Sequence, residues 1–168
     1  KELMNPPNLL KYNPFNKKSK KYKQSGICAV IPINSKKYKL KSFRSKKQLP
    51  KNAFVTHYGK CGACSSLQDL EIYKKKRNLT GPVKSCTLRG MISKKWNQNC
   101  IASLGFSKPC AQIWFFDSQN ALKKCWKPCL KDYFSSYNAG KDKLNSCLQC
   151  DEIVNGPTFK KFAGRTRR

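Results

Sequence analysis

The residue types best equipped for chemistry in this 168-residue chain are ten cysteines and a single histidine. Spacing singles out Cys61-Gly62-Ala63-Cys64. It follows a β-prone run, Ala53–Tyr58, that Gly59 closes. It precedes a helix that Ser65 or Ser66 is expected to cap, with Gln68 or Asp69 as the capping-box partner. A thiol at a helix N-terminus meets free backbone N–H groups and the positive end of the dipole, which favour the thiolate. His57, seven residues before Cys64, is the one imidazole available as a base. A lone strand histidine more commonly packs and hydrogen-bonds.

Over about a dozen residues this strand–Cys-Gly-Ala-Cys–helix arrangement resembles the redox site of the thioredoxin family. The resemblance implies Cys61 as attacking thiol and Cys64 as resolving thiol. The rest of the chain shows no βαβ alternation, no tryptophan before the motif and no cis-proline partner. The same residues, Gly59-Lys60-Cys61-Gly62-Ala63-Cys64, resemble the nucleophile loop of papain-like cysteine proteases, with Cys64 as nucleophile. That family needs a downstream histidine, and none follows Cys64. Tyr58 stands where the family has glutamine, and Ser65 where it has an aromatic residue, so protease chemistry is excluded.

Metal ligation is the next use for such residues. Cys61/Cys64 and Cys147/Cys150 both have the spacing of zinc knuckles. One four-thiolate site would leave Cys28, Cys86, Cys100, Cys110, Cys125 and Cys129 unexplained, whereas five disulfides account for all ten. A disulfide framework, with no metal and no cofactor, is therefore the preferred expectation. The pairing is not deducible from spacing, although the turn at Gly105 favours a bond between its flanking Cys100 and Cys110. Such a framework implies secretion or an organelle lumen, with the extracellular space preferred. Asn78-Leu79-Thr80 makes Asn78 a candidate glycosylation acceptor. The chain starts at Lys1 rather than Met, so removal of an N-terminal leader is expected.

Composition supplies the reason for so many crosslinks. Leu, Ile, Val and Phe number 35 of 168 residues, against a net charge of +28 from 36 Lys+Arg and 8 Asp+Glu. So few apolar residues barely offset that self-repulsion. The longest apolar run, Ile27–Ile31, cannot span a bilayer. Thirty of the basic residues are lysines, point charges suited to charge density rather than to reading base edges. Three clusters are the candidate polyanion site: Lys17, Lys18, Lys20, Lys21 and Lys23; Lys36, Lys37, Lys39, Lys41, Arg44, Lys46 and Lys47; and Lys160, Lys161, Arg165, Arg167 and Arg168. Tyr12, Tyr22, Tyr38 and Phe43 lie in or beside the first two and could stack on sugars or bases.

Residues 1–26 read as a basic extended arm, 27–154 as one disulfide-rich α+β domain, and 155–168 as a basic C-terminal tail. Within the domain, Ile27–Ile31 and the stretch holding Tyr38, Leu40 and Phe43 form a hairpin with one basic face. A mainly helical core follows from Ser65 to Phe134. Its face residues include Trp96, Cys100, Ile101 and Leu104 in one helix. The next helix carries Cys110, Ile113, Trp114, Asp117, Ala121 and Cys125, and should bend or end at Lys127-Pro128. Beyond Phe134 the chain reads as loop, with a turn at Asn138-Ala139-Gly140.

The expected fold class is a small α+β protein: an N-terminal hairpin and strand, then a helical, disulfide-stapled core. The expected function is non-enzymatic association with an acidic polymer, anionic surface or acidic protein, as in a structural component of an extracellular assembly. The alternatives are a thiol–disulfide oxidoreductase using Cys61 and Cys64, and a zinc-stabilised nucleic-acid-binding subunit of a ribonucleoprotein.

Overall fold

A computed structural model describes residues 1–17, 21–76, 79–140 and 143–167. In the N-terminal half, alternation decides the fold. Along β3 (Lys37–Phe43) Tyr38 and Leu40 are buried while Lys39 and Lys41 are exposed, the period of a half-covered strand. Its antiparallel partner β2 (Ile27–Pro32) pairs in turn with β4 (Phe54–Tyr58), with an irregularity between Cys28 and Ala29. A two-residue strand, β1 (Glu2–Leu3), runs parallel to β3 and completes a four-stranded sheet of order β1-β3-β2-β4.

The first residues therefore do not trail freely. Asn5 extends the β1 pairing through its side chain, donating Nδ2–H to the Leu40 carbonyl and accepting from the Leu40 N–H. Gln112 grips the backbone of Leu10 from both sides, and Phe15, in a 3₁₀ turn at Pro14–Asn16, is buried in the helical core.

The second half is helical: α1 (Leu67–Lys75), α2 (Thr80–Arg89), α3 (Lys94–Ala102), α4 (Lys108–Lys131) and α5 (Ser146–Ala163). A two-stranded ribbon, β5 (Asn138–Gly140) with β6 (Lys143–Leu144), lies between the last two helices. The protein is thus of the α+β class. The turn into α4 is the expected one, with Gly105 at φ +97° and Phe106 buried beyond it.

Four local expectations are corrected. In α3 the buried polar position is Asn97, which donates to Ser118 Oγ at 2.7 Å, while Trp96 turns outward, 56% exposed. Pro128 does not end α4, because it sits in the last turn and disulfides at Cys125 and Cys129 hold the chain on either side of it. Asn138-Ala139-Gly140 pairs as a strand rather than forming an isolated turn. The stretch read as loop and tail is largely α5, which runs through Asn155-Gly156-Pro157.

Two buried clusters result. Cys28, Val30, Tyr38 and Leu40 fill one beneath the sheet, and the larger one includes Phe15, Ile101, Phe106, Ile113, Trp114 and Phe159. Five disulfides crosslink the elements around them: Cys28–Cys61, Cys64–Cys110, Cys86–Cys100, Cys125–Cys150 and Cys129–Cys147. In a core this poor in aliphatic residues, each such crosslink contributes about 2–5 kcal/mol.

Candidate functional site

The segment from His57 to Asp69 carries the densest chemistry, and the structure gives every part of it a structural partner. Cys61 is bonded to Cys28 in the sheet and Cys64 to Cys110 in α4, so the two do not form a dithiol pair. The amides that should have faced a thiolate are committed as well. The N–H groups of Ala63 and Cys64 donate to the carbonyls of Phe162 and Ala163 at 2.9 Å each, satisfying the C-terminal end of α5. Such close approach requires a glycine at position 62. A Cβ there would stand 2.5 Å from the Gly164 nitrogen and 2.6 Å from the Phe162 carbonyl oxygen.

His57 is locked in the same way. Its Nδ1 lies 3.0 Å from the Tyr58 carbonyl, an acceptor only, so Nδ1 carries the proton. Nε2 therefore accepts from Ser65 Oγ at 2.7 Å, and that oxygen accepts from the Gly62 N–H at 2.8 Å. Burial lowers the imidazole to a pKa of about 4, against the opposing pull of the Tyr58 carbonyl. Ser65 is wholly buried, so this is a hydrogen-bonded strut and not a nucleophile with its base.

Ser66 is the residue that caps α1, its Oγ accepting from the Asp69 N–H and donating to the Asp69 carboxylate. The Asp69 carboxylate also reaches across to α4, accepting from Ser66 Oγ, the Ser107 N–H and Ser107 Oγ. Burial raises its pKa, opposed by these donors.

The remaining cysteine expectations resolve alongside. Cys100 bonds to Cys86, the neighbouring helix, rather than to Cys110, because Cys110 turns into the core toward Cys64. Cys147 and Cys150 bond to Cys129 and Cys125, so the four thiolates of the zinc alternative are all in disulfides, and all ten predicted half-cystines are paired. The five disulfides mark an oxidising compartment.

The basic clusters divide. Lys17, Lys21, Lys23, Lys36, Lys39, Lys41, Arg44, Lys46, Lys47 and Lys161 are exposed, and Lys37 and Lys160 half-exposed. Lys18, Lys20, Asn78 and Arg168 lie outside the described residues. Arg165 and Arg167 are corrected from polyanion ligands to interior groups, each 8% exposed. The Arg165 guanidinium lies over the Tyr73 ring, 4.9 Å from its centroid. Arg167 Nη1 meets the Asp117 and Asp151 carboxylates, and Nη2 meets Glu152 at 2.9 Å. Burial alone would lower the Arg167 pKa, but these three carboxylates hold it above its ordinary value.

This acidic nest is what reading the sequence missed. The available signal was Asp117, a carboxylate in the apolar stripe of α4. Such a position demands a buried cationic partner. The partner lay 50 residues on, in what looked like a solvated tail.

Internal use of the acids changes the surface. Asp69 and Asp117 are buried, Asp151 and Glu152 hold Arg167, and Asp132 accepts from Ser146 Oγ and the Cys147 N–H. Among the described residues, the lysines within ion-pair distance of a carboxylate are Lys75 and Lys160. On the sheet, register places Lys41 beside Ala29, and Ile27 between Phe43 and Tyr58, so these side chains share the face opposite Tyr38 and Leu40. Lys41 Nζ lies 5.5 Å from the Phe43 ring centroid and Lys46 Nζ 5.7 Å from that of Tyr58.

No helix among the described residues is long and apolar enough to cross a membrane. No curated protein and no solved structure matches the chain. Residues 94–168, from α3 to the Arg167 nest, match a family model described as "Family of unknown function (DUF8771)".

Proposed function

We propose that this is a secreted, disulfide-stapled protein that binds an anionic partner through its lysine-rich surface, as a non-enzymatic component of an extracellular assembly. The carrying observation is the segregation of charge: among the described residues most carboxylates are drawn inward or paired, while lysines stand exposed and mostly without acidic partners. A surface so unbalanced repels itself, and a polyanion relieves that repulsion while releasing its own counterions. The outer face of the sheet is the best-formed part of this surface. There Lys39, Lys41 and Lys46 project around Phe43 and Tyr58, lysine for charge and aromatic rings for stacking.

Retention on immobilised heparin tests the reading. The oxidised protein should elute above physiological salt, and the Lys39→Gln/Lys41→Gln/Lys46→Gln variant at distinctly lower salt. The slope of log affinity against log salt should become shallower by about 2–3 in that variant. Elution of the wild-type protein below physiological salt would overturn the proposal.

A further inference from the structure

The far end of α4 carries large apolar side chains in the open. Trp126 is 54% exposed, Leu130 66% and Phe134 94%, and Tyr133 stands beside Phe134 with ring centroids 4.7 Å apart. Trp126 and Leu130 are four residues apart, one above the other on the helix, and Phe134 continues the spacing just past its end. A second row, Lys123, Lys127 and Lys131, has the same period, lies next to the first, and is exposed throughout. Lys127 Nζ lies 5.8 Å from the Trp126 ring centroid. Asp132 is the carboxylate next to these rows, and its Oδ2 is occupied by Ser146 and Cys147.

The disulfides determine which way these rows face. Cys125 is wholly buried and bonded to Cys150, and Cys129 is bonded to Cys147, so two crosslinks hold one side of α4 against α5. Trp126 and Leu130, each the next residue along, are thereby turned outward, as is Phe134 beyond the helix end. A hydrated polysaccharide offers a ring a sugar face to stack on, but no apolar layer in which Leu130 and Phe134 could be buried together. Their exposure beside a lysine row matches an interface that is apolar within and negatively charged at its rim.

We infer that the end of α4 docks on an anionic phospholipid surface, with Trp126, Leu130 and Phe134 entering the headgroup layer and Lys123, Lys127 and Lys131 contacting the lipid phosphates. This rests on the polyanion-binding reading and names one anionic surface as its target. The protein would lie on the bilayer without spanning it.

The test uses the full oxidised chain in a Trp96→Phe background, which leaves Trp126 as the exposed indole and Trp114 buried. The probes are vesicles of phosphatidylcholine alone and of phosphatidylcholine mixed with phosphatidylserine. On the mixed vesicles Trp126 emission should shift to the blue and be quenched by brominated acyl chains, and on neutral vesicles neither should occur. Removing one lysine of the row should weaken vesicle binding about fivefold. The Trp126→Ser/Phe134→Ser variant should lose at least about tenfold in vesicle affinity. It should keep its heparin elution and all five disulfides, since both side chains are exposed.

Adsorption to mixed vesicles without quenching, or unchanged affinity in the double variant, would overturn the inference and leave charge-only binding. Heparin retention with no adsorption to mixed vesicles would overturn it while leaving the polyanion reading intact. Failure on both heparin and vesicles removes both.

Discussion

Cys61 and Cys64, three positions apart, bond in opposite directions: Cys61 to Cys28 in the sheet and Cys64 to Cys110 in the long helix. The residues between them approach the end of α5, where Ala63 and Cys64 donate to the last carbonyls. One short loop thus ties the sheet to α4 and α5, two helices that also pack directly on each other. The spacing that suggests a redox site is equally the spacing needed to send two sulfurs to opposite sides of a turn. What separates the two uses is where the loop amides point. Here they face a helix C-terminus, which removes the electrostatic reason for a stabilised thiolate.

This assignment predicts a definite crosslink map. Proteolysis without reduction should yield peptides joined as 28–61, 64–110, 86–100, 125–150 and 129–147, and a 61–64 bridge would refute the arrangement. The Cys64→Ala/Cys110→Ala variant should lose about 3–5 kcal/mol in denaturant unfolding. It should gain no insulin-reducing activity, since Cys61 remains paired with Cys28.

Gly62→Ala should be severe for a change of one methyl group. The new Cβ would meet the Gly164 nitrogen at 2.5 Å and the Phe162 carbonyl oxygen at 2.6 Å, both backbone atoms. Relieving the clash separates the loop from α5 and breaks the hydrogen bonds from Ala63 and Cys64. The expected loss is about 3 kcal/mol or more, read from the unfolding midpoint. Gly140→Ala, which meets nothing nearby, tests a glycine with positive φ and no crowding and should cost less.

His57 gives the stability a pH dependence of known sign. Its folded pKa of about 4 lies below the ordinary 6.5, so only the unfolded chain takes up a proton between these values. Stability from the neutral imidazole is fully present above 6.5 and is lost as the pH falls toward 4. The loss should reach about 2–3 kcal/mol. Raised carboxyl pKa values such as that of Asp69 act in the opposite direction, so the measurement is a difference. His57→Gln should be less stable than wild type at about pH 7, with the gap closing by about pH 4.5. A constant gap would mean that the imidazole titrates normally.

The chain as far as α4 was legible where its elements are decided locally. Alternation in Lys37–Phe43, the Ser66 cap and the Gly105–Phe106 turn each need only neighbouring residues. The segment beyond α4 was not, because its helix is imposed from outside. Asn155-Gly156-Pro157 reads as a turn, yet Asn155 is buried, accepting from Asn120 and donating to the Asp117 carbonyl. Two disulfides fasten the first turns of α5 to α4, and these tertiary bonds outweigh poor local propensity. The candidate site divided for the same reason. Lys39 and Lys41 follow from strand period, whereas the burial of Arg165 and Arg167 depends on acids far away in sequence.

Arg167 supplies the last prediction. One guanidinium serves Asp117, Asp151 and Glu152, three carboxylates in a nest that is largely closed to water. Burial raises the Asp117 pKa, Arg167 pulls it down, and the neighbouring Asp151 and Glu152 push it up again. Replacing Arg167 with Met keeps the volume and removes the guanidinium that all three carboxylates share, so Asp117 is left buried without its cation while Lys160 still faces Glu152. The expected loss near neutral pH is about 3–5 kcal/mol. In the variant Asp117 holds a folded pKa above its unfolded one, so the penalty should shrink as the pH falls through the folded value and vanish below about 4. Asp117→Asn in the same background should restore part of the loss at neutral pH, because it removes the most buried of the three charges. A solvated tail arginine would show none of this: Arg167→Met would then leave stability unchanged at every pH and would instead weaken heparin retention.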